Sequence, residues 1–269
     1  MAEEYGEQRL DFGRRSNDSD FGALDSAPPC SGKPHGAAAT GPGPVTESLS
    51  FRIAIVDSEA DLLKVQSLRQ AAYGHHLPAM AAKFAQPDPV DRMPDVTIFY
   101  AQDKATGRFV GSARIQTNLT NPLQIERSIE LPSERRGCLL AEITRMTVIA
   151  GYPHPVKLAL VKAIHLYCIA LQITGIVAAS RPTLLRQYLN LGFIDLYGDD
   201  RLVPMAHGAG LEHRVLFRDT VTSEADSRAR RHPDHAFVFR TYHPDLEIFN
   251  PVVQASSLIR SLLPYSKAA

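Results

Sequence analysis

Ala141-Glu-Ile-Thr-Arg-Met-Thr-Val-Ile149 reads as a central β-strand with charge inside it. Strand alternation puts Glu142, Thr144, Met146 and Val148 on one face. An acid and an arginine in such a strand are costly to bury unless they are paired or used. The two therefore either form a structural Glu142–Arg145 pair or mark a site. A break follows at Gly151-Tyr-Pro-His-Pro155. Pro155 suits the first turn of a long apolar helix over residues 156–173.

Upstream, Phe51-Arg-Ile-Ala-Ile-Val56 alternates as a short strand. Asp57 or Ser58 can cap the helix after it, whose apolar stripe is Leu62, Leu63, Val65 and Leu68 and which runs to about Tyr73. Residues 74–95 form a loop rich in His, Pro and Asp, longer than a mere connector needs. Strands over 96–101 and 109–116 flank the turn Asp103-Lys-Ala-Thr-Gly107. Downstream come a buried strand over 176–180 and a helix over 183–190 that Gly192 ends. Further strands are expected at 214–217 and 237–240, and a short amphipathic helix at 255–263. The order β-α-β-β-β-α-β-α-β describes an α/β (α+β) chain with a mixed sheet and helices on both faces.

With 269 residues and 44% hydrophobic content the chain can build a real core. Twenty-nine basic residues balance 29 acidic ones, so no field draws it to nucleic acid or a membrane. Residues 1–48, rich in Pro, Gly and Ala, are expected to be a disordered tail. Residues 49–250 form the folded domain and 251–269 a C-terminal short helix or tail. The most apolar run, 158–179, carries Lys162, His165 and Gln172 and breaks at Thr174-Gly175. It reads as a buried helix and strand, not a transmembrane segment. Cys30, Cys138 and Cys168 are far apart with no Cys-x-x-Cys pair, and residues 1–15 hold no apolar signal core. Both suit a reducing cytoplasm. His232-Pro-Asp-His235 and His243-Pro-Asp245 have ligand-like spacing, but proline interrupts both and no metal is expected.

The element order, with Tyr188-Leu-Asn-Leu-Gly-Phe193 after the fifth strand, resembles the GCN5-related N-acetyltransferase (GNAT) fold, a mostly antiparallel, twisted mixed sheet. The Gly-rich pyrophosphate loop usual in that fold is missing, and Gly151-Tyr-Pro-His-Pro-Val-Lys157 stands in its place. A helix N-terminus there still offers N–H groups to a single phosphopantetheine phosphate. Leu68-Arg-x-x-x-Tyr73, Asp88-Pro-Val-Asp91, Val110-Gly-Ser-Ala-Arg114 and Glu142-Ile-Thr-Arg145 resemble, in order, motifs of the acyl-homoserine-lactone synthases and the related N-acyl amino acid synthases. The lactone branch typically carries a tryptophan after the aromatic position. This chain has none, and Tyr73 is followed by Gly-His-His-Leu-Pro, which favours the N-acyl amino acid synthase branch.

The resemblance implies an acyltransferase that uses acyl carrier protein (ACP) thioester, or acyl-coenzyme A, as cosubstrate with no bound cofactor, and an amino acid acceptor. It implies Glu142 as the base, with Arg145 and Thr144 beside it in the catalytic group. Arg69, Tyr73, Asp88, Asp91 and Arg114 then bind the acceptor, the two acids doing so directly or by holding Arg69 and Arg114. Val148, Lys157 and Tyr188 bind the acyl donor. His75-His76 lies beside the acceptor loop as a possible second base. Arg135, Arg136, Lys157, Lys162, Arg181 and Arg186 could form a basic face for an acidic carrier protein. The apolar 156–173 helix either lines an acyl tunnel or is ordinary core. Three other readings compete: an acetyl-coenzyme A acetyltransferase, an acyl-homoserine-lactone synthase and a non-catalytic acyl-binding relative.

Overall fold

The β-meander expected before residue 120 forms the middle of one large sheet. The computed structural model describes residues 45–76, 88–152 and 154–249. Its first elements are β1 (Val45–Thr46), β2 (Phe51–Ile55), α1 (Glu59–His76), β3 (Val96–Asp103), β4 (Phe109–Thr117) and β5 (Leu140–Val148). After these come α2 (His154–Ala170), β6 (Gly175–Ser180), α3 (Leu185–Asn190), β7 (Ile194–Asp195), β8 (Val203–Pro204) and β9 (Glu212–Asp219). The last are α4 (Ser223–Ala229), β10 (Thr241–Tyr242) and β11 (Leu246–Glu247). The main sheet runs β11-β2-β3-β4-β5-β6-β9-β7. Only β11–β2 and β5–β6 pair in parallel within that path. The β5–β6 join needs a crossover, and α2 supplies it.

Local chemistry explains the first half. Ser58 Oγ accepts from Asp61 N at 3.2 Å and opens α1, with Glu59 and Asp61 in its first turn. Leu62, Val65 and Leu68 are buried, whereas Leu63 turns outward and leaves the expected stripe. At the β3–β4 hairpin, Asp103 Oδ1 accepts from Thr106 N at 2.8 Å and from its hydroxyl at 2.7 Å.

The sheet buries a different cluster on each side. On one face Ile53, Phe99, Ile115, Ile143, Ile176 and Leu216 pack with α2. On the other, α1 covers Ala54, Ile98 and Tyr100, while Leu123, Ile125 and Met205 cover Val177, Val215 and Phe217. The 237–240 segment is not a strand. Residues Ala236–Arg240 form one π-helical turn, because buried Lys162 of α2 takes its carbonyls: Nζ donates to Phe237 O at 2.8 Å and to Thr241 O. Sequence alternation could not anticipate that tertiary capture. It also explains why α2 is apolar nearly all round. One side meets the sheet and the other is covered by the chain's last described segment, which is core packing. Lys162 is consequently buried and does not belong to a basic docking face.

Residues 45–48, assigned to the tail by composition, are ordered: β1 pairs with β10, Val45 opposite Thr241. The remainder of the expected tail and the 255–263 helix lie outside the described residues. Among the described residues no helix is long and apolar enough to cross a membrane.

Gly175, at the first residue of β6, is fixed by contact. A Cβ there would sit 2.3 Å from Phe217 Cε2 on β9. Gly175→Ala is expected to destabilise the fold by about 1–3 kcal/mol through overpacking, read as a lower urea midpoint at unchanged slope.

Candidate active site

The decisive local event is a bulge in β5. Arg114 pairs with Thr144 and Ser112 with Thr147, so two residues, Arg145 and Met146, oppose Ala113 alone. Arg145 takes φ +55° to achieve it, a strained backbone for an arginine. The expected alternation holds for Glu142 and Thr144, which stay on the α1 face. Beyond the bulge it flips: Met146 and Val148 pack on the α2 face with Ile143. Pairing to β6 covers only Leu140–Ile143. From Thr144 to Val148 the two strands part, leaving a wedge that joins one face of the sheet to the other.

On the α1 face, beside the wedge, lies a buried network of ions. Asp91 accepts from Arg69 Nη1 at 2.7 Å and from Arg114 Nη1 at 3.0 Å, and all three side chains have no exposed surface. Arg114 Nη1 also reaches Asp88 Oδ2 at 2.8 Å, its Nε donates to Thr144 Oγ1 at 2.9 Å, and Nη2 reaches Gln124. Asp88 additionally caps the turn at Pro89, accepting from Val90 N. Burial pushes the Asp88 carboxyl up, but the Arg114 charge and hydrogen bond outweigh it and hold the group below its ordinary value. Arg145 Nη2 lies 3.7 Å from Asp88 Oδ2, and these two, with 14% and 20% of their side chains exposed, are the network members that meet solvent. Arg69, Arg114 and Asp91, expected from sequence to bind the acceptor or, for the acid, to hold the two arginines, are enclosed and paired with one another, and Arg114 links them to Asp88 and Thr144.

Glu142 is fully buried beside this network. Its Oε2 accepts from Ile125 N at 2.9 Å, while Oε1 has no hydrogen bond. Desolvation pushes this carboxyl up to about 7, against the Ile125 N–H, Arg114, the Gln124 N–H and Arg145, all of which favour the ion. A histidine that no sequence pattern singled out faces the other oxygen. His207 Nε2 lies 3.3 Å from Oε1, off the line of a hydrogen bond. Burial and the charges of Arg145, His213 and Arg114 drive His207 down to about 4, so it is neutral at pH 7. His207 sits in the turn Ala206–Gly208, and a Cβ on Gly208 would be 2.7 Å from His213 Cε1. His213, next to that glycine, therefore requires it. The Gly208-Ala-Gly210 turn was visible in the sequence but nothing in it pointed to Glu142.

The residues expected to bind a donor lie across the wedge. Val148 ends β5, paired with Gly111. Lys157, in the second turn of α2, donates to Gln187 of α3 and stands 6.0 Å from the Tyr188 ring. Tyr188 packs edge-on against Phe193, and burial, reinforced by the nearby Tyr73 phenol of α1, raises its pKa. Tyr73 also lies close enough to Arg145 to influence its charge. Tyr73 thus connects the ion network to the donor side. The backbone of His75 and His76 closes α1; their side chains are outside the description. Among the described residues no group of three or more His, Cys, Asp or Glu is arranged to hold a metal.

A mostly antiparallel mixed sheet, one parallel crossover, a bulged fifth strand and a wedge beside it define the architecture. The fold is GNAT-like. Solved structures that share it include two synthases. One is FeeM, an N-acyl amino acid synthase from uncultured soil microbes: TM-score 0.51, 14% identity, covering 65% of this chain and 93% of that one. The other is BjaI, a coenzyme A-dependent acyl-homoserine lactone synthase: TM-score 0.50, 15% identity, covering 79% of this chain and all of that one. No protein-family model matches the chain. No curated protein matches it either. Both expectations drawn from the motifs, the GNAT-like fold and its synthase-type neighbours, hold.

Proposed function

We propose that this chain is an N-acyltransferase that moves a long-chain fatty acyl group from an ACP thioester to the amino group of an amino acid. The carrying observation is Glu142: a fully buried carboxyl poised near neutrality, beside the point where β5 leaves β6. A general base works best with a pKa near the operating pH, and one free carboxylate oxygen is available for the proton. The likeness to FeeM and BjaI supports acyl transfer as the class of reaction. The absence of tryptophan, and of a Gly-rich pyrophosphate loop, supports an amino acid product and a phosphopantetheine donor.

In this reading the pantetheine arm enters the wedge from the α2 side, past Val148, Lys157 and Tyr188. The acceptor approaches from the α1 side, its carboxylate on Arg145 and its ammonium near Asp88. Glu142 takes the ammonium proton, directly or through one water, and His207 limits the space around Oε1. The amine nitrogen attacks the thioester carbon. Backbone N–H groups of β5 that β6 leaves unpaired receive the oxyanion. The C–N bond forms; as the intermediate collapses the C–S bond breaks, the second N–H proton passes to the leaving thiolate, and the proton on Glu142 returns to solvent.

The sign of the pH dependence follows. The base must be ionised, so kcat is expected to rise with pH as a one-proton transition near 7 and to be on the order of 100-fold lower at pH 5 than at pH 8. A stopped pH series with Glu142→Gln alongside checks it: the variant should lack that transition.

Thiol release by the purified chain, with palmitoyl-ACP, palmitoyl-coenzyme A or acetyl-coenzyme A and a mixture of amino acids, tests the assignment. Turnover with palmitoyl-ACP exceeding both others is expected. A preference for acetyl-coenzyme A contradicts it.

A further inference from the structure

On the α2 face, away from Glu142, a second cavity of about 60 Å³ lies between α2, the end of α3, the end of β9, α4 and the π-helical turn. That is room for a group of several heavy atoms. Its wall is mixed, and Leu158, Val161, Leu189, Leu191, Val238 and Phe239 supply the apolar part. Arg218 of β9 also lines it. Only 6% of Arg218 is exposed, and among the described residues its side chain has no hydrogen bond or ion pair; Nη1 is enclosed without a partner. A buried guanidinium without a counter-charge is strongly unfavourable.

The neighbours do not supply that charge. His165 is driven to about 4 by burial and by Arg218 itself, and is neutral. Cys168 is pushed up to about 12 and keeps its proton. Burial lowers Arg218 to about 10, which still leaves it charged at pH 7. Of the acids lining the cavity, Asp219 accepts from Val221 N and Thr222 N, and Asp226 from the Thr222 hydroxyl. Asp234 is the third. None reaches Arg218. Arg230 and His232, also in the lining, add positive or neutral groups nearer the chain surface.

We infer that this cavity is a binding site for a small monoanionic carboxylate with an apolar body, its carboxylate on Arg218 and its chain against the apolar part of the wall. The carboxylate supplies the missing counter-charge. A phosphate dianion fits less well, because three aspartates share the lining and six apolar side chains offer it no donor. The cavity lies across the sheet from Glu142, on the α2 face that also carries Lys157 and Tyr188, and it does not depend on the function assigned to those residues.

Titration of the full-length chain with hexanoate at pH 7 by calorimetry, without any thioester, tests the site. Inorganic phosphate and hexan-1-ol serve as comparison probes. Hexanoate is expected to bind, and to bind at least tenfold more tightly than either. Arg218→Met should lose hexanoate binding at least tenfold, yet melt no lower than wild type in the absence of ligand. Leu189→Trp, which narrows the cavity at an exposed wall residue and leaves Arg218 intact, should lose it as well and decides the matter if Arg218→Met does not fold. No hexanoate binding by the wild type overturns the proposal. So does binding that survives in the folded variants, or phosphate binding as tightly as hexanoate.

Discussion

Glu142→Gln is expected to lower kcat on the order of 10²-fold or more without lowering stability. The amide keeps an oxygen for the Ile125 N–H and the shape of the buried side chain, but it cannot take a proton. The stability half of the prediction comes from linkage. The carboxyl stands at about 7 in the folded chain, above its ordinary 4.5. Stability from the protonated form is therefore complete below about pH 4.5 and lost as pH rises through 7. Above that, burying the ion costs about 3 kcal/mol that the amide avoids. The variant should melt at or above the wild type at pH 8, with the difference shrinking towards pH 5. Melting curves at both pH values, beside single-turnover rates, separate the alternatives. A structural Glu142 would give the reverse: lower melting and full activity in the folded remainder.

Asp91→Asn should have the largest effect on folding, about 3–5 kcal/mol. Its carboxylate holds two arginines at 2.7 and 3.0 Å where none of the three side chains meets water. Arg69 already has Nε and Nη2 without partners, so loss of the carboxylate leaves a fully enclosed cation with nothing to offset it. The exposed Lys64–Asp61 pair on α1, at 2.8 Å, provides the control. Asp61→Asn should cost less than about 1 kcal/mol. Urea unfolding of both variants gives the comparison. Equal, small losses would show that the buried network does not hold α1 to the sheet.

Much of this was legible in the sequence because strand and helix periodicities are local. The 51–55, 96–103, 109–117 and 140–148 strands, α1 and α2 all follow from short-range patterns and caps. Four short motifs also singled out Arg69, Asp88, Asp91, Arg114 and Arg145, which the fold gathers into one ion network, and Glu142, which lies beside it. The bulge at Arg145 left only a faint trace. Two successive polar residues, Thr144 and Arg145, interrupt the alternation between Ile143 and Met146, and pairing with β4 sets Arg145 and Met146 opposite Ala113 and sends Met146 and Val148 to the other face. The difference between Arg145 and the enclosed Arg69 and Arg114 was hidden for the same reason: exposure, not residue type, separates them. His207 comes from a glycine-rich turn whose contact with Glu142 spans 65 positions. Lys162 looked like a surface charge in an apolar helix, yet it folds the 236–241 segment into a turn that composition would make a strand.

The most direct test of acyl transfer at Glu142 is the lipid content of a bacterial host that supplies ACP. Organic extracts of cells expressing the wild type and Glu142→Gln would be compared by mass spectrometry. A series of acylated amino acids spaced by C₂H₄ in the wild type and absent in the variant is the predicted result. Identical extracts, with both proteins folded and present, would contradict it.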